Sequence, residues 1–592
     1  MDDGRVMDDR RQTTDHGLQM GKRPRTTDHG ASLPVVRRPS SVVLFAILAA
    51  FLLLGLATSA INPLHEATDE LRHYRFIQHI IQRHALPVQG QTSDLPCTIQ
   101  GHHPPLYYAT AALLTFWIDT GRDICYEPPT NPFWDYRYWE VGRDNKNQYL
   151  HGADESFPWH GEALAAHLAR VVNLLYGAAT VWLTWATARL IWPRRPALAA
   201  GSAAFVAFNP MFLYMAAAIN NDVAAAIAGA AVTYACVRLL RDPRGLRPAW
   251  GVALGALYAL ALLSKFNLAA IIVVIEAAVT WVAWRRGQWR QWLVVNALLV
   301  GMTALLAGWW FVRNQRLYGE PTGIEELTQL WGVRDPRESF WLAVSELPYA
   351  WTSLWGRFGY GQIPLPGWMY GALFAVLLLA VGGYGVALLR RLSRPPMDQT
   401  PSSSGRGLGR GSSAAPSPNP SQGEGDQTPS PLGRGLGRGS SAPSRGEGDQ
   451  TPSPLGRGLG RGPSAPSPSP SQGEGEVLAL LALTVAVFFA VLFNYLLVSP
   501  AGPMGRFFFP ALPALGILMF YGLTLWGKGP GEEAHAKARR GQDAKGEKKK
   551  LALLPLRLGF FAPLRERSSL EPGTWNLEPL LAWAVNLGLI AL

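Results

Sequence analysis

Hydrophobicity along this chain comes in blocks rather than stripes. Near-continuous apolar runs cover residues 41–61, 169–192, 197–219, 223–240, 249–264, 266–284, 292–312, 368–389, 477–498 and 507–526. Most approach the roughly 20 residues a helix needs to cross a hydrocarbon core, 249–264 being the shortest. They are apolar on every face, whereas a helix on a soluble core keeps a polar side. The pattern predicts an all-α polytopic membrane protein of about 10–11 transmembrane helices, with 577–592 as the start of the last. The first run is too long for a signal-peptide core, and no small-residue cleavage site leads from it into a soluble domain.

Charge orients the spans. The formal net charge is +12, but the basic residues sit in tails and short loops beside the spans, which argues for orientation and against a nucleic-acid partner. Arg37 and Arg38 precede the first run. Arg194 and Arg195, the Arg238–Arg247 group, Arg285 and Arg286, Arg390 and Arg391, and Lys548 to Lys550 follow alternate later ones. All fall on the cytoplasmic side, with a cytoplasmic N-terminus, provided the short apolar stretch 104–118 does not cross. That stretch opens with two prolines and reads as a juxtamembrane or re-entrant helix. The outer side then holds a large loop at 62–167, a second at 314–367, and tight hairpins at 220–222, 264–267 and 499–506.

The rest is low in apolar content. Residues 1–40 carry TTDHG twice and should be a disordered cytoplasmic tail. The core, 41–390 and 477–526, is interrupted at 393–476 by a Ser/Pro/Gly/Arg insert in which DQTPSPLGRGLGRG recurs. Residues 527–576 form a basic cytoplasmic segment. Cys97 and Cys125 share the first outer loop, where either a disulfide or two free thiols is possible; Cys236 lies in a span. No P-loop, no GxGxxG before a helix and no zinc-ribbon spacing occurs.

Polar chemistry gathers on the outer side. NPLHEATDELRHYRF, residues 62–76, follows directly on the first span. Continued as a helix, it would put Glu66, Asp69, Glu70 and His73 on one face, where a partly desolvated carboxylate suits general-base work. A solvated amphipathic helix explains the same spacing, and His65, Asp69 and His73 at i, i+4, i+8 could be metal ligands if other groups helped. Next comes GHHPPLYYATAALL, with His102 and His103 before a Pro-Pro pair and with Tyr107 and Tyr108 placed to lie at headgroup level. Asp222, in AINNDVAAA, stands at the outer edge of a span, either as a functional group or as a helix cap. Lys265, Arg313, Arg357 and Arg506 are outer-face cations beside span ends, suited to an anionic headgroup.

These motifs, in this order, resemble the GT-C superfamily of membrane glycosyltransferases, in the branch of protein O-mannosyltransferases and aminoarabinose transferases. DELRHY at 69–74 resembles the acidic pair of the first external loop, and HHPPLYY that loop's P-P-L-Y-Y element. AAHLARVVNLL resembles the start of the second span, NND the second acidic site, and GRFFFPALPAL the R-Y-x-x-P-A-L-P element. Before the acidic pair, where the family commonly has Pro-Pro or similar residues, this chain has Glu66, Ala67 and Thr68.

The resemblance implies transfer of a sugar from a polyprenyl-phosphate donor to a glycan, lipid or protein acceptor, with inversion, at the external or periplasmic face of the plasma (inner) membrane. It implies Asp69 as base, Glu70 or His73 orienting it or the acceptor, and Arg506, Arg313 and Lys265 neutralising the leaving phosphate. Asp222, His102 and His103 complete the expected substrate site. A divalent metal is compatible with this site and not required by it. The competing class is a transporter, lipid-handling protein or inactive relative; a transporter should show matching broken spans in two halves, and no such symmetry is visible.

Overall fold

In the computed structural model, residues 39–89, 97, 100–134, 147–393 and 470–527 are described. The tail, most of the 393–476 insert, the 527–576 segment beyond its first residue and the expected last span at 577–592 lie outside them. One compact unit holds the described residues, and it is an all-α membrane architecture with almost no strand.

By length and composition, eight helices among the described residues can cross a membrane: Ser41–Ile61, Gly161–Ile191, Asp222–Leu240, Phe266–Arg286, Trp289–Tyr318, Gly367–Leu392, Gly473–Val498 and Gly505–Thr524. They belong to α1 (Pro39–Ile61), α4 (Gly161–Ile191), α7 (Asp222–Leu240), α9 (Ile272–Arg286), α10 (Trp289–Tyr318), α13 (Gly367–Leu392), α14 (Pro470–Val498) and α15 (Leu512–Thr524). α14 begins at Pro470, so the end of the expected low-complexity insert is helical instead.

The run at 197–219 is not one straight helix. It divides into α5 (Pro196–Ala207) and α6 (Pro210–Ala216), bent by 62°. Asn209 accepts a hydrogen bond from Phe212 N (2.9 Å) and Pro210 starts the new helix, so a cap and a proline together make the break. Two further spans open with a 3-10 turn, Phe266–Ile271 before α9 and Gly505–Ala511 before α15. These two turns adjoin site residues, Lys265 directly before the first and Arg506 within the second.

α8 (Pro248–Ser264) is a 17-residue apolar helix that packs along α10. Gly251 and Gly255, four apart on one face, make this possible. A Cβ on Gly251 would lie 2.5 Å from Val295 O, and one on Gly255 would lie 2.6 Å from Leu299 O. With lipid outside, such close backbone approach supplies the packing that hydrophobicity cannot.

The outer segments form helices of their own. α2 (Glu70–Arg83) and α3 (Leu106–Thr115) pack on each other and on the start of α4. At ten residues α3 is too short to span a hydrocarbon core. In the second loop, α11 (Ile324–Trp331) and α12 (Phe340–Gly356) precede a two-stranded hairpin, β1 (Arg357–Phe358) against β2 (Ile363–Pro364).

Candidate active site

The segment after α1 is irregular, and its irregularity sets the site. His65 and Asp69 have left-handed backbones, φ 67° and 63°. Such a conformation costs a non-glycine residue about 1 kcal/mol or more and persists only where neighbours over-determine it. The neighbours here are identifiable. Glu66 accepts hydrogen bonds from Gln148 N (2.7 Å), Tyr149 N (2.9 Å) and His151 Nε2 (2.8 Å). Thr68 Oγ1 donates to Gly359 O (2.5 Å), and the Asp69 amide donates to the Tyr360 hydroxyl (3.4 Å). α2 therefore starts at Glu70, and the expected single face of Glu66, Asp69, Glu70 and His73 does not form. The left-handed turn at Asp69 sends the three carboxylates in different directions.

Glu70 points inward. Its oxygens accept from Arg170 Nε (2.8 Å) and Nη2 (2.9 Å), and Oε1 also accepts from Ile219 N (2.9 Å). Arg170 further donates to the carbonyls of Ser59, Asn62 and Pro63. This wholly buried pair ties the start of α2 to α4 and to the 219–222 turn. Arg170 lies within the AAHLARVVNLL motif, but nothing in its spacing announces the partner.

Asp69 points outward to a row of alternating charge. Arg506 Nη2 lies 2.9 Å from Asp69 Oδ2, and Arg506 Nε lies 3.4 Å from Asp222 Oδ2. Lys265 Nζ is 2.5 Å from Asp222 Oδ1, and Arg72 is 3.5 Å from Asp69. The capping role open to Asp222 belongs to Asn220, whose Oδ1 accepts from the amides of Asp222 (3.0 Å) and Val223 (3.3 Å). Asn173 on α4 holds the same turn through the Ala218 and Asn220 carbonyls, leaving the Asp222 carboxylate for the cations. Burial pushes the Asp69 carboxyl up, but the positive charges of Arg506 and Arg72 outweigh it and hold it below the ordinary 3.8. Arg506 Nη1 is buried without a hydrogen-bond partner among the described residues.

Beside this row stands a second, uncharged one. The Tyr108 hydroxyl lies 2.7 Å from His73 Nδ1 and 2.9 Å from His103 Nδ1. One O–H can donate to only one ring, so the other ring must donate to it and the two imidazoles take opposite tautomers. His102 bonds to Gln89 through Nδ1 and its amide. Burial lowers His73 and His102 to about 4 and His103 well below 6.5, so all three are neutral at neutral pH. Tyr107 and Tyr108 are fully buried in the protein and not exposed to the surface, Tyr108 stacking on Phe76 at 3.9 Å. Their aromatic-apolar context is the same in both settings; the packing of α2 on α3 distinguishes them.

Two outer cations make no ion pair with this row among the described residues. Arg313 donates to the carbonyls of Leu86 (3.2 Å) and Pro87 (2.7 Å) and stacks on Trp310. Arg357 donates to Thr352 and Gly361 and covers the Tyr349 ring. Cys97 and Cys125 are joined as a disulfide across the first outer loop. Among the described residues no group of three or more His, Cys, Asp and Glu converges as a metal site, and His65 instead faces Glu162 at 3.5 Å. A small cavity of about 30 Å³ opens next to the charged row, lined by Thr68, Met211, Arg357, Tyr360, Met504 and Arg506 among others.

A multi-pass membrane protein with two carboxylates and two cations brought to one end of its bundle is the class defined so far. Residues 165–310 match the family described as dolichyl-phosphate-mannose-protein mannosyltransferase, part of the GT-C glycosyltransferase superfamily. The match, over that part of the chain, supports a membrane glycosyltransferase of the GT-C type. The matched stretch contains Arg170, Asp222 and Lys265, while Asp69 and Arg506 lie on either side of it. No curated protein matches the chain.

Proposed function

We propose that the protein moves a sugar from a polyprenyl-phosphate donor to an acceptor hydroxyl, on a glycan, lipid or protein, at the external face of the plasma (inner) membrane. The acceptor oxygen attacks the anomeric carbon as Asp69 takes its proton. The bond from that carbon to the lipid phosphate oxygen breaks on the opposite side, so configuration inverts. Arg506 and Lys265 neutralise the departing phosphate, which is worth most in a site poor in water. Asp222 holds both cations in place. Glu70 positions the base segment through Arg170, and the neutral histidines His73, His102 and His103 offer hydrogen bonds to uncharged sugar or acceptor hydroxyls. Arg313, engaged with carbonyls, has no part in the phosphate site.

The observation that carries this reading is Arg506: one guanidinium between two carboxylates, with a buried donor still unmet among the described residues. A lipid phosphate fills that need while releasing Asp69. The test is Asp69→Asn in membranes supplied with polyprenyl-phosphate sugars. We expect transfer to fall by about 10²–10⁴-fold, the range for removing a general base. Undiminished transfer would overturn the mechanism.

A further inference from the structure

α7 rises about 28 Å over its 19 residues, close to the thickness of a hydrocarbon core, and α8 returns beside it. The turn between them, 241–247, thus lies at the opposite end of the bundle from Asp222 and Lys265. A cleft of about 560 Å³ opens there, lined by Leu190, Arg238, Arg241, Arg244, Arg247 and Trp250 among others.

Among the described residues, the one carboxylate lining the cleft is already engaged. Asp242 Oδ2 accepts from Arg247 Nη2 (2.7 Å) and Trp250 Nε1 (3.0 Å), and Oδ1 from Arg244 N (2.9 Å). Nε of Arg241 and Nε of Arg247 are buried there without hydrogen-bond partners among the described residues. Glu474 and Glu476 act on Arg241 through their charge, and Glu476 itself pairs with Arg285. Among the described residues, no hydrogen bond or ion pair occupies the guanidinium groups of Arg238, Arg241 and Arg244. Orientation in the membrane accounts for positive residues at this end of the spans; it does not require several of them to line one cleft with donors unmet. The walls add a second observation. Leu190 and the exposed Ala249 and Ala253 continue from the arginines onto the apolar surface of α8.

We propose that this cleft binds a phosphate-bearing anion, the arginines taking its oxygens and the apolar walls taking an acyl chain, as for an anionic phospholipid. Guanidinium matches phosphate oxygens in pairs, and a basic pocket between spans is a setting in which lipid headgroups are held. This site is separate from the proposed transfer chemistry and stands whether or not that reading survives.

The full chain is purified and titrated with phosphatidylglycerol, phosphatidylcholine or inorganic phosphate, with bound lipid and thermal midpoint as readouts. Phosphatidylglycerol should bind and raise the midpoint, and phosphatidylcholine should not. The triple variant Arg238→Gln, Arg241→Gln, Arg244→Gln should bind more weakly by about fivefold per arginine removed. Arg194→Gln, Arg195→Gln, Arg290→Gln removes equal charge from the same end of the bundle and should bind as the wild type does. Equal weakening in both triples overturns the proposal, because general surface charge then suffices; so does undiminished binding by the first. Protection by inorganic phosphate as strong as by phosphatidylglycerol upholds the anion site and assigns it to a soluble phosphate. Should the first triple not fold, Arg241→Gln alone carries the same test at about fivefold.

Discussion

Glu70 and Arg170 are joined by two hydrogen bonds, 2.8 and 2.9 Å, with both side chains sealed from solvent. Removing one partner strands the other's charge, a loss of about 3–5 kcal/mol for a buried pair. Glu70→Ala should therefore lower folded yield and thermal midpoint sharply. The double variant Glu70→Ala, Arg170→Met should recover part of that loss. A double variant no better than Glu70→Ala would show that the pair does not act as a unit.

Asp69 should behave in the opposite way. Its left-handed backbone favours glycine, so Asp69→Gly should fold at least as well as the wild type while losing transfer. Asp69→Val, β-branched at the same φ, should be less stable than Asp69→Asn. Thermal unfolding of the three variants in detergent gives the order directly.

The acid limb of transfer should follow from Arg506. With Asp69 held below 3.8 and His73 at about 4, both stay in their working forms from neutrality down to about pH 5. The rate should show no step near 6.5, the ordinary histidine value. Arg506→Gln removes the largest charge opposing burial, so the Asp69 carboxyl rises and the acid limb should move to higher pH. A pH profile with an unmoved limb in that variant, or a step near 6.5 in the wild type, would contradict these assignments.

His151 gives a stability window at the other end of the scale. It sits between Glu66 and Glu155, and although partial burial lowers it, bonds to both carboxylates raise it to about 9. A group raised in the folded state stabilises fully below its unfolded value of about 6.5 and loses that contribution as pH rises through 9. The first outer loop should loosen between those limits, and protease cutting within 147–160 should increase. His151→Gln should cut equally fast at pH 6 and pH 9.

Close packing of α8 on α10 predicts sensitivity at two glycines. Gly251→Leu or Gly255→Leu forces backbones apart where carbonyl oxygens stand about 2.5 Å from the added carbon. Folded yield should drop for either, whereas Gly301→Leu on α10, with nothing within 4 Å of an added Cβ, should be tolerated. Fluorescence-detected size-exclusion profiles separate the two cases.

The membrane architecture was legible because little besides a bilayer demands apolar runs of nearly 20 residues, one after another. The site was legible as a set of stretches: 62–76, NND, Lys265 and the GRFFFP turn do meet. Its internal pairing was not. Glu70 and Asp69 are neighbours of like chemistry, and only the left-handed turn between loop and helix decides which one faces Arg170 and which Arg506. Helical periodicity cannot foresee such a turn, since it assumes the helix it would have to interrupt. Arg313 and Arg357 look like Arg506 in sequence, each a lone cation beside an apolar run. Arg313 takes its carbonyl partners from Leu86 and Pro87, more than 200 residues earlier, which no local pattern records, while Arg357 is held within its own hairpin by Thr352 and Gly361. The break at Asn209-Pro210 did have a local signal, a capping residue before a proline, hidden inside a long apolar run.

Glu66 and Thr68 give the site a dependence on its own completion. Glu66 is held by backbone 82 residues further on and Thr68 by a carbonyl 291 residues further on, and the guanidinium facing Asp69 comes 437 residues later. A chain still being threaded into the membrane has none of these, and Asp69 then has no reason to keep its unfavourable backbone. The charged row at Asp69 is therefore a late product of folding, assembled only once the segment that carries Arg506 is in place.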